Sequence, residues 1–299
     1  LISGVTGFVG RRLGAALSQA GWEVWGLGRD PAKARTGVPF LTGAIAWSSL
    51  GAEGKDRLRE MDAVVHLAGE SVAGLWTSAK RARIERSRID STRALVDALI
   101  AVEPRPRVLL SASAVGYYGT PKGDEPLAED HAPGEGFLAD VCRGWEREAE
   151  RAEEADVRVV LLRIGLVLGP EGGTLGAMLP AFKAGLGGRI GSGKQLWPWI
   201  HIDDLVGMSQ RALEDPRWSG PYNGVAPGVV TQGDFAKALA KQVHRPAFLP
   251  APAFALKSVL GDFASEMLVS RRVVPQRAQE VGFRFRHPEL QPALSDLLG

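Results

Sequence analysis

The chain has a single cysteine, Cys142, which excludes an internal disulfide and a cysteine-based metal cluster and leads us to expect a reducing compartment, the cytoplasm. Its five histidines show no metal-ligand spacing, so no metal is expected either. No apolar run reaches the roughly 20 residues of a membrane span, and no signal pattern opens the sequence; no membrane partner is expected. Charge of one sign is also missing. The 36 basic and 34 acidic residues leave a net charge of +2 with signs interspersed, without the basic face a nucleic-acid binder needs. Lys80-Arg81-Ala82-Arg83 is the one short basic run, and we read it as a local anion contact. Repeats and low-complexity segments are absent. The chain opens inside a strand without an initiator methionine, so that strand is expected to start before Leu1. What remains is an ordinary globular composition, 45% hydrophobic and 23% charged over 299 residues, enough for one large α/β domain and a smaller lobe.

The most informative stretch is Leu1-Ile2-Ser3-Gly4-Val5-Thr6-Gly7-Phe8-Val9-Gly10, an apolar strand end that runs through three evenly spaced glycines into a helix. Gly4 allows a tight turn, Gly7 lets backbone N–H groups approach a pyrophosphate, and Gly10 lets the helix pack against the strand. The amphipathic run Val9 to Ala20 stops at Gly21, and a second strand, Trp22 to Gly28, follows. This β-α-β unit predicts a dinucleotide site contacted by Gly4, Thr6, Gly7, Phe8 and Val9. The end of the second strand selects the dinucleotide. An acidic residue there holds a free ribose hydroxyl, whereas a 2′-phosphate needs a cation. Gly28 is followed by Arg29, which favours NADP(H); the alternative is that Arg29 is a solvated loop residue and Asp30 takes the ribose. Arg11 and Arg12 oppose the dipole of the first helix unless an anion lies nearby.

Strand and helix patterns alternate through the first two-thirds, which predicts an α/β, Rossmann-like doubly wound parallel sheet. Ala63 to Gly69 reads as a strand ending in small residues, Leu67-Ala68-Gly69, where a cofactor can approach, with His66 packed in the strand. Helices are expected over Ser78–Ile89, Thr92–Ile100, Leu138–Ala155 and Leu175–Ala184, and strands at Val108–Leu110 and Val157–Arg163. Ser111 and Ser113 follow the central strand, at the edge where open α/β sheets bind ligands. Asp203 is expected to cap the helix to Glu214, and Thr231 with Asp234 the helix to Gln242. Gly282-Phe283-Arg284-Phe285-Arg286 alternates like a strand. We expect residues 1–170, with 200–230 returning, to form the cofactor domain, and 171–199 with 231–299 a small C-terminal α/β lobe. Trp76, Lys80, Trp199 and His201 are candidates for the cleft wall, while Glu70 and Asp203 show no acid/base partner.

Gly4-x-x-Gly7-x-x-Gly10, Leu67-Ala68-Gly69, the serines before Tyr118-Gly119 and Ile200-His201-Ile202-Asp203-Asp204 together resemble the extended short-chain dehydrogenase/reductase superfamily, also called NAD-dependent epimerases/dehydratases. Leu67 to Glu70, Ser111 to Gly119, Leu168 to Gly173 and Trp199 to Asp204 are similar to one atypical branch, the epimerase family proteins. Their small C-terminal domain of unknown function is resembled by Val273-Val274-Pro275 to Phe285. The resemblance spans essentially the whole chain and implies NADP(H), with Arg29 at the 2′-phosphate, Leu67 and Ala68 at the adenosine, Gly69 and Ser111 beside the cofactor, and Arg88, Arg163 and Arg83 reaching the nucleotide. For Arg88 a helix-face ion pair is the competing assignment. Superfamily enzymes use a tyrosine, a lysine four residues later and a serine or threonine. Here the first two positions fall at Phe137 and Val141, neither of which moves a proton. Ser113 remains, and Tyr117 is the candidate acid; Tyr118 with Lys122 has the dyad spacing but comes too early in the chain. The expectation is an oxidoreductase or epimerase acting on a small carbonyl or sugar-like substrate, with a homodimer by analogy. The alternative is a non-catalytic NADP(H) sensor.

Overall fold

A computed structural model describes residues 1–51, 53–247 and 249–299. In chain order the first half runs β1 (Ile2–Ser3), α1 (Phe8–Gln19), β2 (Val24–Gly28), α2 (Pro31–Gly37), β3 (Leu41–Ala46), α3 (Glu53–Arg59), β4 (Ala63–His66), α4 (Ser78–Arg86), α5 (Ile89–Ile100), β5 (Val108–Ala114), α6 (Phe137–Glu150) and β6 (Arg158–Ile164). Then follow β7 (Leu166–Gly169), α7 (Gly173–Lys183), β8 (Leu196–Trp197), β9 (Trp199–His201), α8 (Ile202–Glu214), β10 (Gly220–Gly224), β11 (Val230–Thr231), α9 (Gln232–Gln242), α10 (Ala253–Leu260), α11 (Asp262–Met267), α12 (Gln276–Glu280) and α13 (Leu290–Leu298). Seven strands form one parallel sheet in the order β10-β6-β5-β4-β1-β2-β3, the doubly wound arrangement expected.

The continuous apolar strands are explained by helices on both faces. On one face Leu13 and Leu17 of α1 and Leu205, Met208 and Ala212 of α8 pack over Val65, Val108 and Leu110. On the other, Leu95 and Leu99 of α5 and Ala149 of α6 cover Val64, Leu109 and Leu161. Because side chains alternate along a strand, Ser111 and Ser113 share the α5–α6 face with Leu109. A third core joins Leu175, Leu179 and Phe182 of α7 to Phe235 and Leu239 of α9 and to Ala293 and Leu294 of α13.

Several boundaries differ from the sequence expectation. β4 stops at His66, and the helix expected to run to Ile89 ends at Arg86, with α5 starting at Ile89. Residues 282–286 form no strand. Phe283 and Phe285 do turn inward, packing edge to face at 4.9 Å, but the backbone N–H groups of Arg286 and His287 donate to the buried Asp204 carboxylate at 2.7 and 3.0 Å. Alternation reported burial, and a carboxylate took the place of a partner strand. Asp203 is not the cap of α8. His201 is, its Nδ1 accepting from the Asp203 N–H at 3.1 Å, while the Asp203 carboxylate pairs with Arg12 at 2.6 Å.

His66 is a packed strand residue that also sets the ligand edge of the sheet. Ser3 Oγ accepts from the backbone N–H groups of Leu67 and Ala68 at 3.1 and 3.2 Å, so its own proton goes to His66 Nδ1 at 2.7 Å. His66 Nε2 then carries the ring proton and faces Ser91 Oγ at 3.3 Å. Burial, helped by nearby Arg88, pushes the His66 pKa down to about 4.

Two predictions follow from these contacts. The unfolded chain takes up a proton on His66 below about pH 6.5 that the folded chain refuses until about pH 4. Stability is therefore complete above pH 6.5 and falls by about 3 kcal/mol as pH drops through that window, a loss that urea titrations should find largely absent in His66→Asn. In the same assay Asp204→Ala should cost about 2 kcal/mol through two orphaned N–H groups, and Asp203→Ala, which breaks only a half-exposed pair, less than about 1 kcal/mol.

Candidate functional site

The glycine loop lies where the sequence places it, between β1 and α1. Gly4 has φ +72°, and a Cβ on Gly10 would stand 2.3 Å from the Gly4 carbonyl oxygen, so neither position accepts a larger residue without moving backbone. Gly7 is the N-cap of α1 and supplies no side-chain cap, which leaves the first-turn N–H groups and the helix dipole directed at whatever occupies the loop. Thr6 and Gly7 are exposed at its tip, and Phe8 and Val9 are half-buried. Among the described residues this is a cradle that fits a pyrophosphate.

At the end of β2, Gly28 is half-buried and Arg29 is exposed without a hydrogen-bond or ion-pair partner among the described residues. The Asp30 carboxylate has a different task. One of its oxygens caps α2, accepting from the Lys33 N–H at 2.9 Å, and the other has no partner among the described residues. The first-helix arginines have ordinary partners: Arg12 pairs with Asp203, and Arg11 Nε donates to the Thr6 carbonyl at 3.0 Å.

Beyond β4, Leu67, Ala68 and Gly69 lead to a second cation, the Arg88 guanidinium beside Gly69. Arg88 Nη1 donates to the Glu70 and Ile84 carbonyls at 3.0 and 3.2 Å, and its Cζ lies 5.2 Å from the Trp145 ring centroid. It has no carboxylate partner among the described residues, so the ion-pair assignment fails. Burial lowers its pKa below the usual guanidinium value, with Cys142 and Glu70 opposing. A Cβ on Gly69 would come within 3.2 Å of this guanidinium. Arg83 is different: half-exposed, it reaches Glu70 at 3.5 Å, and Lys80 holds the same carboxylate at 2.9 Å. Glu70 therefore has partners that the sequence did not reveal. Its pKa is held below the carboxylate range, chiefly by the Lys80 hydrogen bond.

The ends of β5 and β6 carry a polar network with a member that sequence reasoning missed. Arg163, buried at 3% exposure, donates Nε and Nη2 to the two oxygens of Glu146 at 2.9 Å each. Its Nη1 donates to the Tyr118 hydroxyl at 3.2 Å and to the Glu129 carbonyl at 2.9 Å, and its Cζ lies 3.5 Å above the Tyr117 ring. These contacts leave at most one N–H for a nucleotide, so reaching a ligand is not the main task of this guanidinium. Ser113 Oγ donates to Glu146 Oε1 at 2.5 Å, which leaves its lone pairs as acceptors. Ser111 Oγ is buried and donates to the Ala112 carbonyl at 3.2 Å. Tyr117 is half-buried, and its pKa is raised by burial against the opposing pull of Arg163. Tyr118 is not paired with Lys122: its hydroxyl is buried, donates to Asn223 Oδ1 at 2.7 Å and is pushed up to about 12 mainly by burial, while Lys122 is exposed.

The other cleft candidates separate. Trp199 is core, 1% exposed, with Nε1 donating to the Gly228 carbonyl at 2.8 Å. His201 is buried and stacks on His287 at 3.8 Å, with Asp203 and Asp296 close by, so that four possible ligand atoms lie within 4.8 Å of one another. Because His201 Nδ1 accepts from a backbone N–H, its proton sits on Nε2, 3.2 Å from Asp296 Oδ2 and off the line of a good hydrogen bond. A cation there would have to displace that proton. Trp76 and Lys80 stay at the site: Trp76 meets Phe137 edge to face at 5.4 Å, and Phe137 and Val141 begin α6 one turn apart.

Residues 1–224 match the NAD dependent epimerase/dehydratase family, and residues 251–297 match a domain of unknown function, DUF1731. An Arabidopsis thaliana protein, "Epimerase family protein SDR39U1 homolog, chloroplastic", is 41% identical over 99% of this chain and 86% of its own length. The crystal structure of the human epimerase family protein SDR39U1 with NADPH superposes with a TM-score of 0.88 at 33% identity, covering 99% of this chain and 98% of that one. A Corynebacterium glutamicum nucleoside-diphosphate sugar epimerase structure is 35% identical with a TM-score of 0.79, over all of this chain and 57% of the other. With the parallel sheet, the glycine cradle and both sequence matches in place, the chain belongs to the NAD-dependent epimerase/dehydratase family, in the group of SDR39U1-like epimerase family proteins.

Proposed function

We propose that this chain is an NADP(H)-dependent oxidoreductase acting on a small carbonyl substrate. The observation that carries the reading is the end of β2, where Arg29 is exposed without a partner among the described residues while one oxygen of Asp30 is engaged in capping α2, so the strand end presents a free cation. A 2′-phosphate is favoured by that arrangement and a bare ribose is not. The human relative with NADPH supports the same choice. The loop from Gly4 to Gly10 would hold the pyrophosphate, and Arg88, with its unpaired charge beside Gly69, would face the nucleotide. NADPH when bound supplies a hydride; the chain supplies position and a proton. Tyr117, kept neutral by burial, is the acid toward the substrate oxygen, and Ser113, fixed by Glu146, offers that oxygen an acceptor once it has become a hydroxyl.

A second reading, an NADP(H) sensor without turnover, draws on Phe137 and Val141, which replace the usual proton-moving pair at the start of α6. The cytoplasm belongs to the proposal as the compartment; the plant relative carries the name chloroplastic. So does a homodimer.

Tryptophan fluorescence titrations should show NADPH binding that weakens at least tenfold, about 1.4 kcal/mol, in Arg29→Ala, with NADH affinity unchanged; preference for NADH in the parent would refute the cofactor assignment. In steady-state assays with simple aldehydes and ketones, Ser113→Ala and Tyr117→Phe should each lower kcat about a hundredfold. Tight NADPH binding with no carbonyl reduced across the panel would leave the sensor reading in its place.

A further inference from the structure

Basic and acidic residues are interspersed along the sequence, and the fold sorts them. Residues 183–194 and 232–257 hold seven basic residues against one acid, Asp234, so the rest of the chain is acidic on balance. All seven cations are exposed, and only Lys237, 3.4 Å from Asp234, has an ion-pair partner among the described residues. The same two segments carry Leu186, Leu249 and Phe254 at 62%, 43% and 76% exposure, three of the five large apolar side chains that stand in water among the described residues. Single exposed leucines are ordinary, but three gathered among unpaired cations mark a contact surface.

Packing puts these groups on one side of the lobe. Phe182 of α7, Leu239 of α9 and Leu256 of α10 lie on the third core, which turns the opposite sides of all three helices outward. Residues two apart on a helix point about 200° apart, so the inward seat of Leu256 sends Phe254 out, and Lys257, three residues on from Phe254, shares its face. In α9, Lys237 and Lys241 are one turn apart on the exposed side. The two segments are joined edge to edge. The Ala251 N–H donates to the Arg189 carbonyl at 2.8 Å, the Gly191 N–H to the Ala251 carbonyl at 2.9 Å, and Arg245 Nε to the Lys183 carbonyl at 3.2 Å. A Cβ on Gly188 would stand 1.9 Å from the Leu249 carbonyl oxygen, which places Leu249 beside the turn that bears Leu186. Arg189, Lys194 and Lys237 also border one hollow of about 460 Å³ with Ala247 and Pro250.

We propose that this face docks the protein on an anionic membrane surface, with Phe254, Leu186 and Leu249 entering the headgroup region and the cations lying over lipid phosphates. A lipid surface accepts hydrocarbon without a complementary pocket, and attraction grows with each cation brought near it. Other partners use only half of the face. A nucleic-acid backbone would meet the cations and leave Leu186 and Leu249 in water, and a second copy of the chain would set the same cations against one another. The sequence expectation of no membrane partner rests on the lack of a spanning segment, and docking on a surface needs none; no helix of the described residues is long and apolar enough to cross a bilayer. The inference goes beyond the proposed oxidoreductase and does not depend on it.

Flotation of the full chain with vesicles of equal parts phosphatidylglycerol and phosphatidylcholine, and with vesicles of phosphatidylcholine alone, tests it. Binding is expected on the anionic vesicles, about tenfold weaker or less on the neutral ones, and falling as salt rises. Phe254→Ser and, separately, Lys237→Glu combined with Lys241→Glu should each lower it about tenfold, with the thermal midpoint and NADPH affinity of the parent. Leu75→Ser, which changes another exposed apolar residue outside the face, should leave it unchanged. Absence of binding to the anionic vesicles, equal binding to both kinds, or binding indifferent to either patch variant would overturn the proposal. So would lysine-dependent capture of polyglutamate without vesicle binding, which would make an acidic protein the partner. Patch-dependent vesicle binding by a chain that oxidises NADPH with no carbonyl would uphold this proposal while the oxidoreductase reading falls.

Discussion

The ligand edge of this molecule depends on one buried ion pair, Arg163 on β6 with Glu146 on α6. Both side chains are nearly sealed from water, at 4% and 6% exposure, and the pair is bidentate with both distances 2.9 Å. Removing two charges from water costs several kcal/mol per ion, repaid only when geometry is good and the remaining hydrogen-bonding capacity is filled. Here it is filled. Glu146 also accepts from Ser113, and the other guanidinium nitrogen reaches Tyr118 and the Glu129 carbonyl. Burial pulls the Arg163 pKa down, the carboxylate outweighs it, and the net displacement is upward. Losing either partner would strand an uncompensated charge at a cost of about 3–5 kcal/mol, with the positions of Ser113 and Tyr117 lost at the same time.

The pair also ties the C-terminal region to the sheet. Tyr118 passes from Arg163 to Asn223 on β10, and the Asn223 amide donates to the Leu127 and Val274 carbonyls at 3.1 and 2.8 Å. Glu129 accepts from the backbone N–H groups of Asn223 and Arg277 at 3.0 and 3.2 Å, and burial raises its pKa against those bonds. The loop after β5, the last strand of the sheet and the start of α12 therefore share one hydrogen-bonded unit.

What was legible in the sequence is what backbone sterics write into contiguous residues. Gly10 is required because a Cβ would strike the Gly4 carbonyl and Gly4 because the turn takes φ to +72°, and both requirements, lying within ten residues, show as spacing. The sheet shows as apolar runs because both of its faces are covered. The polar network has no such trace: Glu146 and Arg163 are 17 residues apart, Glu129 and Asn223 are 94 apart, and Tyr118 and Asn223 are 105 apart, so only the fold brings them together. Asp203 and Asp204 show the same limit on a small scale. Either suits a helix start, yet a histidine caps α8, one carboxylate goes to a surface arginine and the other replaces a strand partner for residues 286 and 287.

The missing dyad changes which direction of chemistry the chain suits. A lysine one turn beyond a tyrosine lowers the phenol pKa and makes it a base as readily as an acid. Here the start of α6 carries Phe137 and Val141, and the carboxylate of that helix that meets Arg163 and Ser113 is Glu146, nine residues on and about 13 Å farther along the axis. It faces a cation that it neutralises, so Arg163 lies against the Tyr117 ring without the full effect of an isolated charge, and burial prevails in raising the Tyr117 pKa. A phenol held neutral has a proton to give and little tendency to take one. On the proposed reading that asymmetry favours reduction of a carbonyl, which consumes a proton at oxygen, over oxidation of an alcohol, which needs a base there.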